Sequence, residues 1–100
     1  MIKHIVLWRL KEGADGHGKA EIARILKQRL EGLRGVVPGL LHLEVGIDFL
    51  QSESSSDLAL YTEFASREAL EAYQQHPAHR EFVEFSHNLR TERRLVDYEV

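Results

Sequence analysis

The segment LLHLEVGIDFLQSESSSDLALYTEF (residues 40–64) contains the clearest strand pattern in the sequence. Over residues 40–49, apolar side chains alternate with polar or small ones, which is typical of a β-strand with one buried face. Residues 58–64 alternate in the same way, and the polar residues 50–57 between them favour an exposed turn. The segment therefore predicts a hairpin, one side of which consists of Leu41, Leu43, Val45, Ile47, Leu58, Leu60, Thr62 and Phe64.

A helical region is predicted on each side of this hairpin. Residues 19–34 carry apolar side chains at close to the i, i+3, i+4 spacing of an amphipathic helix, and Gly35 is placed to end it. After the hairpin, Ser66 is a suitable N-cap for a helix over REALEAYQQ (residues 67–75). Pro77 interrupts that helix because its ring cannot continue the turn, and a second helix is predicted to start there.

The ends of the chain predict two further strands. IKHIVLWRL (residues 2–10) is rich in β-branched and aromatic residues. Its alternation gives two faces that are both apolar at their centre, with Ile2, His4, Val6 and Trp8 on one and Ile5 and Leu7 on the other. RLVDYEV (residues 94–100) predicts the last strand, and the glycine-rich KEGADGHG (residues 11–18) predicts a loop.

The order of these elements is βαββαβ, which predicts one α+β domain over residues 1–100 with a ferredoxin-like fold. Four antiparallel strands would form a sheet with the helices on one face. Because the first strand is apolar on both faces, the other face of the sheet also needs cover. A second copy of the chain would supply it, so we expect a homodimer that forms an α/β barrel, sheet face against sheet face.

The composition excludes several classes of protein. Thirteen Lys and Arg against sixteen Asp and Glu give a net charge of −3, so we expect no nucleic-acid partner. The chain has no cysteine, which removes disulfides and thiol chemistry. Neither a signal peptide nor a run of about twenty apolar residues is present, so we expect a cytoplasmic protein without a membrane partner.

Three segments together resemble the stress-responsive A/B barrel domain family. They are MIKHIVLWRLKEG at the start, EALEAYQQHPAHREF (residues 68–82) and LVDYEV at the end. The resemblance covers essentially the whole chain and implies a dimeric α+β barrel. Most members of the family have no assigned reaction.

One plant member of that family closes a linear polyketide by an intramolecular aldol condensation. The shared Tyr-x-x-His-Pro-Ala-His pattern matches its catalytic residues to Tyr73 and His79. The resemblance also matches a pocket histidine to His4 and an aspartate to Asp97, which implies that both are substrate-binding residues. A tyrosine on the first helix of that enzyme has no counterpart in residues 19–34. The resemblance implies acid–base chemistry on a carbonyl or polyketide-like compound; the alternative is a non-catalytic dimer that sequesters a ligand.

His79 has a physical case of its own as a general base. If Pro77 begins a helix, His79 lies in its first turn, where the helix dipole disfavours a protonated ring. A neutral imidazole is the form that a base requires. Asp97 could hold the other ring nitrogen. The structural alternative is a histidine that caps the helix or packs beneath it.

The other candidates also have two interpretations. Tyr73 either packs in the core or donates a hydrogen bond to a substrate carbonyl oxygen. His4 either lines a cavity, with Trp8 on the same strand face as a second substrate-binding residue, or bonds across the sheet. Trp8 and the phenylalanines could instead pack that cavity shut. His76, directly before Pro77, is expected to be an N-cap or hinge residue.

A metal or other cofactor is not predicted. The chain has six histidines but no H-x-x-x-H or H-E-x-x-H pair. His76 and His79 are three residues apart, but Pro77 breaks the helix that would align them. A metal site would therefore need ligands from distant elements, with no cysteine among them.

Overall fold

The computed structural model describes all 100 residues and contains the predicted succession of strands and helices. The strands are β1 (Ile2–Leu10), β2 (Gly13–Ala14), β3 (His17–Gly18), β4 (Leu40–Ile47), β5 (Leu58–Phe64) and β6 (Arg90–Glu99). The helices are α1 (Lys19–Glu31), α2 (Arg67–Gln75) and α3 (Pro77–His87). None of these helices has the length and apolar character needed to cross a membrane.

The four long strands form one antiparallel sheet in the order β4-β5-β1-β6. This is the ferredoxin-like arrangement, so the predicted fold class is confirmed. Strand β1 is central, and its residue His4 lies opposite Thr62 of β5 on one side and Asp97 of β6 on the other. Directly paired residues point to the same face, so these three side chains share one face of the sheet.

The two faces of the sheet differ in cover. The face that carries His4 and Trp8 packs under the helices and joins one hydrophobic core with α1, α2 and α3. On the opposite face no element of the chain covers the side chains, and large apolar residues stay open to solvent. These are Leu7 (41% exposed), Val96 (50%) and Tyr98 (42%). The two apolar faces predicted for β1 are thus present.

Strand β4 departs from the predicted alternation at its start. Leu43 and Val45 are buried as predicted, but Leu41 is 58% exposed. The register with β5 shifts between Leu40 and His42, which is a β-bulge, and Leu41 is the extra residue. The strand also ends at Ile47 rather than residue 49, because Asp48 begins the turn by accepting a hydrogen bond from the Gln51 amide at 2.6 Å.

Three other boundaries differ from the prediction. Helix α1 ends at Glu31, and Gly35 lies beyond it in the connection to β4, where its φ of +74° requires glycine. The predicted loop over residues 11–18 contains a small hairpin, β2–β3. Strand β6 begins at Arg90, four residues before the predicted start at 94. Its first residues are polar, and for that reason they carry no strand pattern.

The break between α2 and α3 is formed as predicted. The Ser66 hydroxyl accepts a hydrogen bond from the Ala69 amide at 3.1 Å and caps α2. His76 has extended backbone, and its Nδ1 accepts a hydrogen bond from the Ala78 amide at 3.1 Å, which caps α3. Pro77 is the first residue of α3, where its missing N–H has no consequence. His76 is therefore a structural residue, and His79 lies in the first turn of α3.

Candidate active-site cavity

A cavity of about 270 Å³ lies between the covered face of the sheet and helices α1 to α3. This volume is close to the lower limit of small-molecule sites, which is about 300 Å³. Strand β1, the hinge between α2 and α3, and the start of β6 supply its polar groups. The wall consists of His4, Val6, Trp8, Leu30, Leu60, Tyr73, Gln74, His79, Phe82, Val83, Ser86, Arg90 and Arg93.

His79 enters this wall from the first turn of α3 and is half-buried. Its Nδ1 lies 3.4 Å from the carbonyl oxygen of Gln74, in the last turn of α2. A proton on Nδ1 is donated to that carbonyl, which leaves the lone pair on Nε2. Burial lowers the pKa of His79 and outweighs the hydrogen bond to Gln74, which raises it; the charges of His4 and Arg93 act in the same direction as burial. The ring is therefore held in its neutral form.

Tyr73 lies next to His79 in the cavity wall. Its ring is fully buried, with centroids 4.3 Å from His79 and 5.0 Å from Phe64. The hydroxyl forms no hydrogen bond within the protein. Burial raises the pKa of Tyr73 to about 12, although Arg93 acts to lower it. The phenol therefore keeps its proton and presents an unused donor.

His4 and Asp97 form a hydrogen-bonded pair across β1 and β6. The His4 ring is buried (1% exposed), and its Nδ1 contacts Oδ1 of Asp97. The Asp97 side chain is 32% exposed and lies outside the cavity wall. The expected contact of Asp97 with the His79 ring is wrong. The register of β6 places Asp97 opposite His4, and His79 faces the Gln74 carbonyl instead.

Trp8 lines the cavity without filling it. Its ring is 3% exposed and packs edge-on against Phe82, with centroids 6.1 Å apart. The indole N–H has no hydrogen-bond partner in the protein. Trp8 and Tyr73 thus present two buried donors without acceptors, and each such group costs roughly 1–3 kcal/mol unless a ligand or water satisfies it.

Sequence reasoning missed the two arginines in the wall, Arg90 and Arg93. Both lie in the first part of β6, before the predicted start of the strand at residue 94. Extending the alternation backwards from Asp97 through Leu95 places Arg93 on the same face, and this was the available signal. From α1 the wall receives Leu30, an apolar residue, on the helix that has no tyrosine.

No three His, Asp or Glu side chains come together where they could hold a metal ion. The polar groups of the wall are imidazole, phenol, indole, hydroxyl, amide and guanidinium groups. These are groups that bind and polarise an organic ligand or move a proton.

Comparison with known families agrees with this architecture. The sequence profile described as Stress responsive A/B Barrel Domain matches residues 2–100. The chain belongs to the stress-responsive A/B barrel domain family. No curated protein sequence matches this family member significantly.

Solved structures of similar proteins share the fold of this stress-responsive barrel domain. A dimeric protein of unknown function from Bacteroides fragilis superposes with a TM-score of 0.84 at 27% identity, with 99% of this chain and 95% of that chain covered. A dimeric ferredoxin-like protein of unknown function from Thermobifida fusca gives 0.84 at 22%, covering 99% and 90%. A hydroxynitrile lyase from Passiflora edulis gives 0.82 at 16%, covering 99% and 92%.

In this barrel-domain protein the structure brings the predicted site residues together. His4, Trp8, Tyr73 and His79 all line the one cavity, and Asp97 is attached to it through His4. The segment that breaks the helix at Pro77 also positions His79 beside Tyr73. Hinge and candidate site are therefore the same element.

Proposed function

We propose that the cavity binds a small carbonyl compound and that His79 and Tyr73 enolise it by acid–base chemistry. This would be the first step of a cyclisation or aldol-type reaction. The observation that carries the proposal is the buried Tyr73 hydroxyl, a donor without an acceptor, beside a histidine that burial keeps neutral. A base and an oxyanion donor in one wall are the two groups that enolisation requires.

In the proposed step, Nε2 of His79 takes a proton from the carbon next to the substrate carbonyl. The electron pair of the broken C–H bond forms the C=C bond of an enolate, and the negative charge moves to the carbonyl oxygen. The Tyr73 O–H donates a hydrogen bond to that oxygen as its charge develops. Attack of the enolate carbon on a second carbonyl forms a C–C bond, and the protonated His79 returns its proton to the new alkoxide.

His4 and Asp97 support this arrangement from the sheet side. Asp97 holds Nδ1 of His4, which fixes the orientation of a ring that packs edge-on to Tyr73, with centroids 6.0 Å apart. We assign His4 and Trp8 to substrate binding, since both line the cavity. Asp97 is then a positioning residue that acts through His4. The fold of the hydroxynitrile lyase, at 16% identity, assigns no residue role here.

We further propose that the protein is a homodimer joined through the open face of the sheet. The two relatives from Bacteroides fragilis and Thermobifida fusca are dimeric, and the exposed Leu7, Val96 and Tyr98 supply an apolar surface for a partner. The cavity lies on the helix side of the sheet, so each protomer would keep its own site. Light scattering should give about twice the chain mass of 11.5 kDa. A stable monomer at micromolar concentration contradicts this.

Binding without turnover is the second candidate. Tyr73, Trp8, Arg90 and Arg93 all present hydrogen-bond donors to the cavity, and donors alone are sufficient to hold an oxygen-rich ligand. Deuterium exchange separates the two candidates. Small ketones incubated with the protein in D₂O should exchange the protons next to the carbonyl faster than in buffer, as followed by proton NMR. Trp8 is the sole tryptophan, so its fluorescence reports binding in the cavity. Saturable binding by this signal without any deuterium exchange supports sequestration instead.

A further inference from the structure

The cavity wall carries two arginines and no acidic residue. Arg90 and Arg93 both belong to the lining set, which includes neither Asp nor Glu. This is contrary to the composition, because acidic residues outnumber Lys and Arg sixteen to thirteen over the whole chain. The inside of the cavity is therefore positive in a protein whose net charge is −3.

Neither of these guanidinium groups has a carboxylate partner within the protein. The Arg90 side chain forms one hydrogen bond, to Nδ1 of His87 at 3.3 Å, and the Arg93 side chain forms neither an ion pair nor a hydrogen bond. Their strand neighbour Arg94, which points to the other face of the sheet, lies 3.2 Å from Glu92. The unpaired arginines on β6 are thus the ones that face the cavity.

The Arg93 guanidinium is partly buried, so the lack of a carboxylate partner has an energetic cost. Burial lowers the pKa of Arg93 and the charge of Arg90 lowers it further, while smaller effects of Tyr73 and Asp97 act in the opposite direction. Burial and the charge of Arg90 disfavour the charged form, yet a guanidinium stays protonated in proteins. A half-buried cation beside a second cation is stabilised when an anion binds between or beside them, and the planar guanidinium matches a carboxylate in geometry as well as charge.

We propose that the substrate is an oxo acid whose carboxylate binds Arg93 and Arg90 while its carbonyl oxygen meets Tyr73. The carbonyl part of this inference rests on the proposed function. The carboxylate part rests on the two arginines of the cavity wall and on the absence of Asp and Glu from it. The cavity volume of about 270 Å³ limits the molecule to a small one. Arg93 and Tyr73 line this same small cavity, so the two subsites are close, and only a few bonds separate the carboxylate from the carbonyl.

The test compares 2-, 3- and 4-oxo acids of four to eight carbons with their methyl esters. Trp8 lines the cavity and is the sole tryptophan, so its fluorescence reports binding at this site. We expect at least one acid to bind about 10- to 100-fold more tightly than its ester, the usual range for hydrogen bonds to a charged group. Arg93→Gln should remove that preference. Arg94→Gln, the matched control on the other face, should keep it.

Arg93→Lys distinguishes loss of the carboxylate contact from loss of folding. This variant keeps the positive charge and should therefore keep part of the preference for the acid. Equal binding of every acid and its ester, or no binding of any acid, overturns the inference. Inorganic phosphate that binds as tightly as the best acid also overturns it, in favour of a phosphate site. If esters exchange deuterium as well as acids do, the proposed function stands and the inference fails. If acids bind through Arg93 without exchange, the inference stands and the enolisation fails.

Discussion

The ring of Tyr73, near the end of α2, lies 4.3 Å from the ring of His79 in the first turn of α3, centroid to centroid. In one continuous helix, residues six positions apart would lie about 9 Å apart along the axis and about 120° apart around it. The contact exists because the chain changes direction between the two helices. His76 has extended backbone and caps α3, and Pro77 is the first residue of α3. The hinge between α2 and α3 therefore places the proposed base, His79, beside the proposed hydrogen-bond donor, Tyr73.

Replacement of Tyr73 by Phe should separate function from stability. The hydroxyl has no partner in the protein, so removing it should leave the melting temperature unchanged or raise it. Loss of the oxyanion donor should lower the rate of deuterium exchange by about 10²–10³-fold. Exchange by NMR and thermal melting measure the two effects.

The matched control for that variant is Tyr61→Phe, because the Tyr61 hydroxyl donates to Glu63 at 2.6 Å on the other face of the sheet. This change should lower stability slightly and leave exchange intact. A Tyr73→Phe variant that melts several degrees lower and exchanges normally would show that the hydroxyl serves the fold.

Replacement of His79 by Asn should abolish the base while keeping a polar side chain of comparable size. If His79 removes the proton, exchange should fall by about 10²–10⁴-fold with the dimer intact. His17→Asn, on the small β3 strand and outside the cavity wall, is the control and should exchange like the wild type. A folded His79→Asn variant with full exchange would end the assignment of His79 as the base.

The pH dependence of exchange follows from the two perturbed groups. Burial lowers the pKa of His79 below the usual 6.5, so the base is neutral, and active, at all pH values above that lowered pKa. Exchange should rise with pH through a midpoint below 6.5 and then stay level. Because the pKa of Tyr73 is about 12, the donor keeps its proton and no decline should appear up to about pH 10. A midpoint above 7 would contradict the assignment.

The same shift of the His79 pKa affects folding. The unfolded chain binds a proton on His79 more readily than the folded protein does, so stability should fall as the pH drops below 6.5 towards the lowered pKa. His79→Asn should weaken this loss. Thermal melting between pH 7.5 and 5 measures it.

The fold was predictable because its strands and helices bury one face each and so show their period in the sequence. The prediction was wrong where the period of the sequence misleads and where the sequence shows no period. Alternation continues through Leu41, but a bulge moves that residue out of the core. Residues 90–93 are all polar, so hydropathy does not show a strand there, and Arg90 and Arg93 were missed.

The site was predictable as a set of residues and less so as a set of contacts. The sequence pattern indicated Tyr73, His79 and His4 as candidates, and the cavity contains all three. The partner of Asp97 depends on strand pairing, since β6 lies beside β1 with Asp97 opposite His4. A register of this kind is fixed by tertiary packing and cannot be read from either strand alone.

Gly39 links the stability of the sheet to the helix that carries Tyr73. Its φ is +82°, and a Cβ added there would lie 2.7 Å from the Cβ of Ala69 in the first turn of α2. Gly39→Ala therefore combines backbone strain of roughly 1–2 kcal/mol with overpacking of about 1–3 kcal/mol. We expect a loss of about 2–5 kcal/mol in the free energy of unfolding, measured by urea denaturation.

Two variants isolate the steric part of that loss. Gly16→Ala is the control for backbone strain, because Gly16 has a similar φ of +81° and nothing within 4 Å of an added Cβ. It should cost only about 1–2 kcal/mol. Ala69→Gly alone should destabilise α2 by about 1 kcal/mol, but in the Gly39→Ala background it removes the clashing atom and should recover the steric part of the loss, while the backbone strain at residue 39 remains. Strictly additive losses in the double variant would show that the two residues do not meet.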